Sequence, residues 1–343
     1  MAATRYIYTC CLYVFALVAS LSSVQGQEAF LQEQPVSPVY LSLQVENDAF
    51  SLSGDRLYTH GVEFSYLPLN QTPPDWLFQL SAWTPHFHQS PEVGYFYQFG
   101  QKLFTPEATW SHNLEPEQQP YAGWLYSSAT LFRPNPIDEI LSELDSITYT
   151  LGVVGPLAMG DQTQNAFHGF VGDGRAEGWG NQLKNEVGFI FDYLHKWRIK
   201  QKTDLLQYDI SPHISMALGN VYTYLGGGMM LRLGRSLPSD FGPPSIRPGF
   251  PGIGYFEPNN GLNAYFYLGY ESRYMNRNIF LDGNTFTTSH RVHREPIVGD
   301  FQIGWVFSWP QFRLSISRMD RSKEYDGQST ETSYGAINFS WLQ

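Results

Sequence analysis

The chain is nearly free of cysteine, with only Cys10 and Cys11 among 343 residues. Both lie in a short apolar stretch at the N-terminus, which we expect to be removed on export. The exported chain would then have no disulfide, which excludes a small secreted scaffold built on disulfide bonds. A large core or a surrounding lipid phase must stabilise it instead.

That N-terminal stretch, 1–26, has the layout of a secretory signal peptide. Arg5 is its only charge, an apolar run of about a dozen residues follows, and small residues (Val24, Gly26) end it. The run is too short for a membrane helix. We therefore expect cleavage after Gly26 and read 27–343 as one domain.

Charge is scarce as well, and basic charge most of all. Charged residues are 15% of the chain, against the usual ~25%, and 21 Lys and Arg face 32 Asp and Glu. A formal charge of -11 excludes nucleic acid as a partner, since such a partner requires a basic surface. No apolar run after the signal is long enough for a membrane helix, which leaves a secreted all-β protein or an outer-membrane barrel.

What the chain does have is aromatic residues, at 16%, and alternation of large apolar with small polar residues. In the run 301–309, FQIGWVFSW, Phe301 and Trp305 stand on one face, and Gln302 and Ser308 stand on the other. A soluble sandwich usually has a charged outer face. A polar face of Gly, Ser, Gln and Asn instead favours a narrow barrel with lipid outside and a packed polar interior.

The alternation predicts an all-β fold: one transmembrane antiparallel β-barrel of about 12 strands in the bacterial outer membrane. The predicted strands lie near 40–47, 58–67, 93–103, 123–133, 146–154, 186–195, 205–218, 221–234, 262–274, 294–308, 310–320 and 331–341. With the N-terminus in the periplasm, the first strand ends at the outer rim. The loops after odd-numbered strands then lie outside.

Polar residues mark the mouths of the first two strands. Asn47 and Asp48 end the first, and their hard oxygens suit Ca²⁺, although the same residues also commonly start loops. Thr59 opens the second strand, and alternation with Phe64 points it inward. Its hydroxyl could bind substrate or act as a nucleophile, or it could be an ordinary β-branched strand residue.

The outer loop 155–185 contributes further polar groups. A short helix over 161–170 would put Gln164 and His168 on one face, one turn apart. A neutral imidazole there is a good general base near neutral pH, and the alternative is a surface or packing histidine.

Several short motifs occur in a characteristic order. They are ND at 47–48, YT-x-G at 58–61, TP at 105–106, YAGW at 121–124, QN-x-x-H at 164–168 and W-x-x-Q at 179–182. Together they cover the expected mature chain nearly end to end. On this basis the chain resembles the outer-membrane lipid A 3′-O-deacylase family.

The resemblance implies a twelve-stranded barrel that hydrolyses the 3′-linked acyloxyacyl ester of lipid A, with Ca²⁺ as cofactor. The partners would be lipopolysaccharide and outer-membrane lipid, and we expect a monomer. His168 would activate water, Asn47 and Asp48 would belong to the site around Ca²⁺, and Thr59 and Gln164 would complete the cluster.

The chain departs from the family pattern in two places. The family has an acid six residues after the histidine, where this chain has Gly174. Asp173, one residue earlier, is our candidate for that metal ligand. Basic residues of the family, expected to contact phosphates, correspond here to Ser111 and Gln119. Cations in other predicted outer loops could supply that charge instead: Arg277, Arg291, Arg294, Arg321 and Lys323.

Three alternatives stay open at this point. An outer-membrane phospholipase could use the same histidine and metal on a glycerol ester. A non-enzymatic barrel could serve as a small pore or a structural protein. A catalytically inactive relative would fit the loss of the family acid at Gly174.

Overall fold

The computed structural model describes residues 38–51, 57–82, 84, 87, 93–171, 174–202, 206–243 and 261–343. The expected signal peptide at 1–26 and the expected metal ligand Asp173 lie outside the described residues.

The described residues form a closed barrel of twelve strands, each paired antiparallel with its neighbours in sequence. β12 pairs with β1, from Tyr40 opposite Leu342 to Asn47 opposite Gly335, and this pairing closes the barrel. The predicted fold class and strand number are confirmed. The strands are β1 Val39–Asn47, β2 Leu57–Pro68, β3 Gly94–Thr105, β4 Ala122–Pro136, β5 Leu141–Val154, β6 Glu186–Lys202, β7 Gln207–Gly219, β8 Tyr222–Gly234, β9 Asn263–Asn278, β10 Ile297–Ser308, β11 Phe312–Arg321 and β12 Thr332–Leu342.

Within the described residues, three α-helices accompany the strands: α1 (Asp75–Leu80), α2 (Gly160–Val171) and α3 (Ile279–Asp282). Helix α2 confirms the helix expected over 161–170. Among the described residues, no helix has the length and apolar character needed to cross a membrane. We call the end of the barrel where β1 ends and β2 begins the upper end, and the opposite end the lower end.

The outer wall of the barrel is apolar. On β10, Phe301 and Trp305 are 42% and 51% exposed, whereas Gln302 and Ser308 on the other face are buried. Phe64 likewise faces outward on β2. The alternation therefore has the polarity expected for a barrel in lipid: large apolar side chains outside and small polar side chains within.

Two strands run further toward the lower end than their sequence indicates. β5 begins at Leu141 and β6 continues to Lys202, whereas alternation stopped near 146 and 195. The extra residues are rich in charge, a composition more typical of loops. On the outward-facing side of these strands, the side that also carries Leu151 and Phe189, the charges near the ends pair. The Arg133 guanidinium lies 2.5 Å from the Asp145 carboxylate, which also contacts His195 Nδ1 at 2.7 Å.

At the lower end, the segment 237–243 folds into the lumen. The Asp240 carboxylate lies 2.5 Å from the Arg232 guanidinium and 3.6 Å from that of Arg313. The Nζ of Lys196 donates to the Phe241 carbonyl at 2.9 Å, and Arg198 donates to the Asp240 carbonyl at 2.7 Å. These four basic residues come from three different strands of the wall.

Phe241 extends the same segment toward the opposite wall. It packs in an apolar cluster with side chains of β1 to β5: Tyr40, Leu67, Phe96, Phe132 and Leu144. The segment thus bridges the lumen by ion pairs on one side and apolar packing on the other. A lumen filled in this way agrees with the sequence-based expectation of a narrow, packed interior.

The Asp240 ion pairs should contribute strongly to stability. Replacing Asp240 with Ala leaves Arg232 and Arg313 buried with less compensation, so we expect the free energy of unfolding to fall by about 3 kcal/mol. Urea unfolding of the barrel in lipid vesicles measures this. Asp326→Ala is the control, because that carboxylate is exposed at the upper end. Equal effects from both variants would contradict the role of Asp240.

Candidate active site at the upper end

The end of β1 places two polar side chains at the upper mouth. Asn47 pairs with His60 of β2 on one side and with Gly335 of β12 on the other. Asp48 begins a 3₁₀ turn over Asp48–Ser51. The two side chains are only 3% and 1% exposed, so their oxygens are held within the protein, unlike those of a solvated loop start.

Thr59 lies at a β-bulge. Tyr58 pairs with Phe104 and His60 with the next residue of β3, Leu103, so β2 has one extra residue between them. Such a bulge interrupts strict alternation. Counting from Phe64 therefore does not determine the direction of Thr59, and its side chain is outside the described part of the structure.

Helix α2 begins at Gly160, where the Trp179 ring of the same loop leaves no room for a side chain. A Cβ on Gly160 would lie 2.4 Å from the Trp179 ring. Further along the helix, the rings of Phe167 and His60 stack at 5.5 Å, with an interplanar angle of 28°. Because His60 is the cross-strand partner of Asn47, this contact brings the helix to the mouth formed by β1 and β2.

Gln164 and His168 share the buried face of α2, as their spacing predicted. They are 2% and 5% exposed. Gln164 Oε1 accepts a hydrogen bond of 2.7 Å from Trp179 Nε1. The QN-x-x-H and W-x-x-Q motifs therefore meet through this bond, and Gln164 holds the loop in place beside His168.

The His168 ring is oriented by the backbone. Its Nδ1 lies 2.5 Å from the carbonyl oxygen of Gly174. A carbonyl only accepts hydrogen bonds, so Nδ1 carries the proton, and Nε2 of the neutral ring has the lone pair. Gly174 occupies the position of the family acid, and here its main chain contacts the histidine.

Asn165 connects helix α2 to the segment that follows it in this loop. Its amide nitrogen donates to Asp161 at 2.5 Å, and its amide oxygen accepts from the Ala176 backbone N–H at 2.9 Å. The sequence indicates Asn165 only as part of the QN-x-x-H motif and assigns it no role. Its contact with Ala176 could not be predicted, because it joins residues 11 positions apart.

The β3–β4 loop packs against the loop 155–185 that carries α2. The rings of Tyr121 and Trp179 lie 4.9 Å apart, and the Glu177 N–H donates to the Thr109 carbonyl at 3.0 Å. Gln119, where the family has a basic residue, is buried and donates to the Thr105 carbonyl at 2.6 Å. In this chain, Gln119 therefore holds the loop together.

The oxygen ligands available at the upper mouth are of the type that a hard cation prefers. Asn47 and Asp48 offer buried amide and carboxylate oxygens, and Ca²⁺ prefers six to eight such ligands. Across the described ranges, no group of three or more His, Cys, Asp or Glu side chains could hold a metal. A complete site would need backbone carbonyls and a further acid, and the candidate Asp173 is not among the described residues.

Comparison with known proteins agrees with this architecture. The family described as "Outer membrane protein LpxR" matches residues 10–342. The chain belongs to the LpxR family. It is accordingly an outer-membrane protein, which confirms the location expected from the sequence.

Solved structures support the fold of this LpxR-family chain. LpxR from Salmonella typhimurium is 19% identical with a TM-score of 0.68, and the match covers 88% of this chain and 99% of that one. Two further barrels are too dissimilar to inform function. The KdgM porin is 6% identical with a TM-score of 0.39, and the match covers 88% of this chain and 98% of that one. The NalP translocator domain from Neisseria meningitidis is 9% identical with a TM-score of 0.42, and the match covers 99% of both chains. No curated protein sequence matches the chain.

The start of α2 offers a test of the site's construction. Gly160→Ala should displace Trp179 and thereby loosen the anchor of Gln164 and His168, because the new methyl would overlap the indole ring. Gly169→Ala is the matched control, since a Cβ there meets nothing within 4 Å. We expect faster amide hydrogen exchange in α2 for Gly160→Ala only. Similar exchange in both variants would contradict this packing.

Proposed function

We propose that this LpxR-family barrel hydrolyses the 3′-O-linked acyloxyacyl ester of lipid A in the outer leaflet of the outer membrane. The observation that carries the proposal is the orientation of His168, buried at the upper end with its Nδ1 held by the Gly174 carbonyl. With Nδ1 held in this way, Nε2 is the ring nitrogen that we assign as the base. The upper end would face outward and be reached by lipopolysaccharide.

The proton transfers follow from that orientation. His168 Nε2 takes a proton from a water molecule, whose oxygen bonds to the acyl carbonyl carbon. When the carbon–oxygen bond to the sugar breaks, the imidazolium returns the proton to the 3′-oxygen. The products are a free fatty acid carrying its secondary acyl chain and a lipid A with a 3′-hydroxyl group. Thr59 and Gln164 remain candidates for positioning the substrate.

Ca²⁺ is the cofactor of this proposal, held by Asn47 and Asp48 with Asp173 as the further acid. The chemistry that it supplies when bound is polarisation of a carbonyl oxygen and stabilisation of negative charge there. Both side chains are buried beside the mouth, and this placement supports the assignment. Since a single chain closes the barrel, we propose that it acts as a monomer.

Removal of the base tests the proposal directly. His168→Ala should lower lipid A deacylation at least 100-fold, because general-base catalysis contributes about that factor or more. Mass spectra of lipid A from a strain expressing the protein should show one lost acyloxyacyl group, and the variant should abolish that loss.

Two controls accompany this measurement. His112→Ala removes an exposed imidazole of the neighbouring loop and should leave deacylation unchanged. A chelator should abolish activity, and added Ca²⁺ should restore it. Intact lipid A in cells with abundant folded barrel would reject the proposal. Release of plain fatty acids from phospholipid would instead identify a phospholipase.

The departure at Gly174 can be reversed in the protein. A Cβ at Gly174 meets nothing within 4 Å, so Gly174→Glu should fold while adding a carboxylate beside His168. If the site binds Ca²⁺, the added ligand should lower about tenfold the Ca²⁺ concentration that gives half-maximal thermal stabilisation. Gly169→Glu, equally unhindered, is the control. An unchanged Ca²⁺ requirement would contradict this part of the proposal.

A further inference from the structure

A basic pocket of about 660 Å³ lies at the upper end, outside the site described above. Its walls come from the end of β9, from α3 and from the segment that follows. Three arginines, Arg277, Arg291 and Arg294, line it together with His293 and Asp282. We propose that this pocket binds a phosphate monoester carried by the glycolipid substrate. This inference rests on the proposed function.

Two of the arginines have positive charge that no acid neutralises within the described residues. Arg291 is exposed, and its side chain makes no hydrogen bond or ion pair with the part of the chain that the structure describes. Among the described residues, the oxygens to which Arg277 donates are all neutral: the Asn220 carbonyl at 2.7 Å, the Gly283 carbonyl at 2.9 Å and Thr285 Oγ1 at 2.7 Å. Two such charges match a phosphate dianion.

The third arginine, Arg294, stabilises the wall of the pocket. Arg294 lies 3.2 Å from the Asp282 carboxylate and also donates to the Asn276 carbonyl at 2.9 Å. This pair is close to neutral and fixes the geometry of the segment 291–294. His293, on the open side, lies 3.9 Å from Asp326. The lining therefore keeps a positive balance from Arg277 and Arg291.

The pocket is connected to the catalytic loops. His290 Nε2, one residue before Arg291, lies 2.8 Å from the Gln118 carbonyl. Asn284 exchanges two hydrogen bonds with the backbone of Lys184, in the loop that carries His168. The pocket thus adjoins Gln119, where the family's basic residue is missing, and it could supply the charge from the opposite loop.

Two other cations at the upper end, Arg321 and Lys323, are less suitable. Arg321 is buried in the lumen, with its guanidinium 2.6 Å from the Asp300 carboxylate. Lys323 is exposed but does not line the pocket. The planar guanidinium also binds phosphate oxygens in pairs, which a single ammonium does not. In a protein of net charge -11, such a pocket would offset repulsion from an anionic lipid surface.

The test measures binding, not turnover. Arg291→Ala and the unaltered barrel, each in neutral detergent micelles, are titrated with lipid A carrying its phosphates and with the same lipid after phosphatase treatment. We expect Arg291→Ala to weaken binding of the phosphorylated lipid about tenfold and to leave the dephosphorylated lipid unaffected. Arg291 is exposed and makes no ion pair with any described residue, so folding should be intact. Arg291→Lys should recover part of the lost affinity.

Lys323→Ala is the matched control, as it removes one exposed positive charge from the adjacent loop, and it should bind both lipids normally. An equal loss of affinity for the phosphorylated lipid in Lys323→Ala, or no loss in Arg291→Ala, would overturn the proposed role of the pocket. If inorganic phosphate, at the same concentration as the lipid, displaces the phosphorylated lipid, the ligand of the pocket is free phosphate. That result would overturn the proposal that the phosphate is carried by a lipid. Selective binding without any deacylation would instead reject the proposed function and keep the pocket.

Discussion

The pairing of β1 with β12 is the constraint on which the rest of the structure depends. Backbone groups at an open sheet edge would have no hydrogen-bond partner in hydrocarbon, so the sheet must close. The register that closes it sets Asn47 between His60 and Gly335 at the upper mouth. Asp48 follows at once in its 3₁₀ turn. Barrel closure therefore also positions two residues of the candidate site.

An apolar outer wall forces the polar side chains into the lumen, where they must satisfy one another. This explains why few charges suffice and why they pair across distant strands. The segment 237–243 shows the result. Asp240 meets Arg232 of β8 and Arg313 of β11, and its neighbours accept hydrogen bonds from β6. The lower end of the lumen is thereby filled.

Loop contacts, more than strand contacts, orient the proposed base. His168 receives its orientation from a main-chain oxygen, and Trp179 and Asn165 hold the two flanks of the loop. A backbone acceptor does not depend on the side chain at its position. For this reason, the loss of the family acid at Gly174 leaves the histidine tautomer defined. Under the proposed function, the effect of this loss should fall on the affinity for Ca²⁺, because Ca²⁺ affinity depends on the number of carboxylate ligands.

The sequence by itself determined the barrel, its twelve strands and the helix around His168, because period-two and helical patterns are local and survive without tertiary contacts. It also brought Gln164 and His168 to one face. Only the tertiary structure decided the longer ends of β5 and β6, the bulge at Thr59, the luminal segment around Asp240 and the partner of His168 Nδ1. Each of these depends on contacts between residues distant in sequence or on a one-residue shift in pairing, and neither leaves a periodic signal.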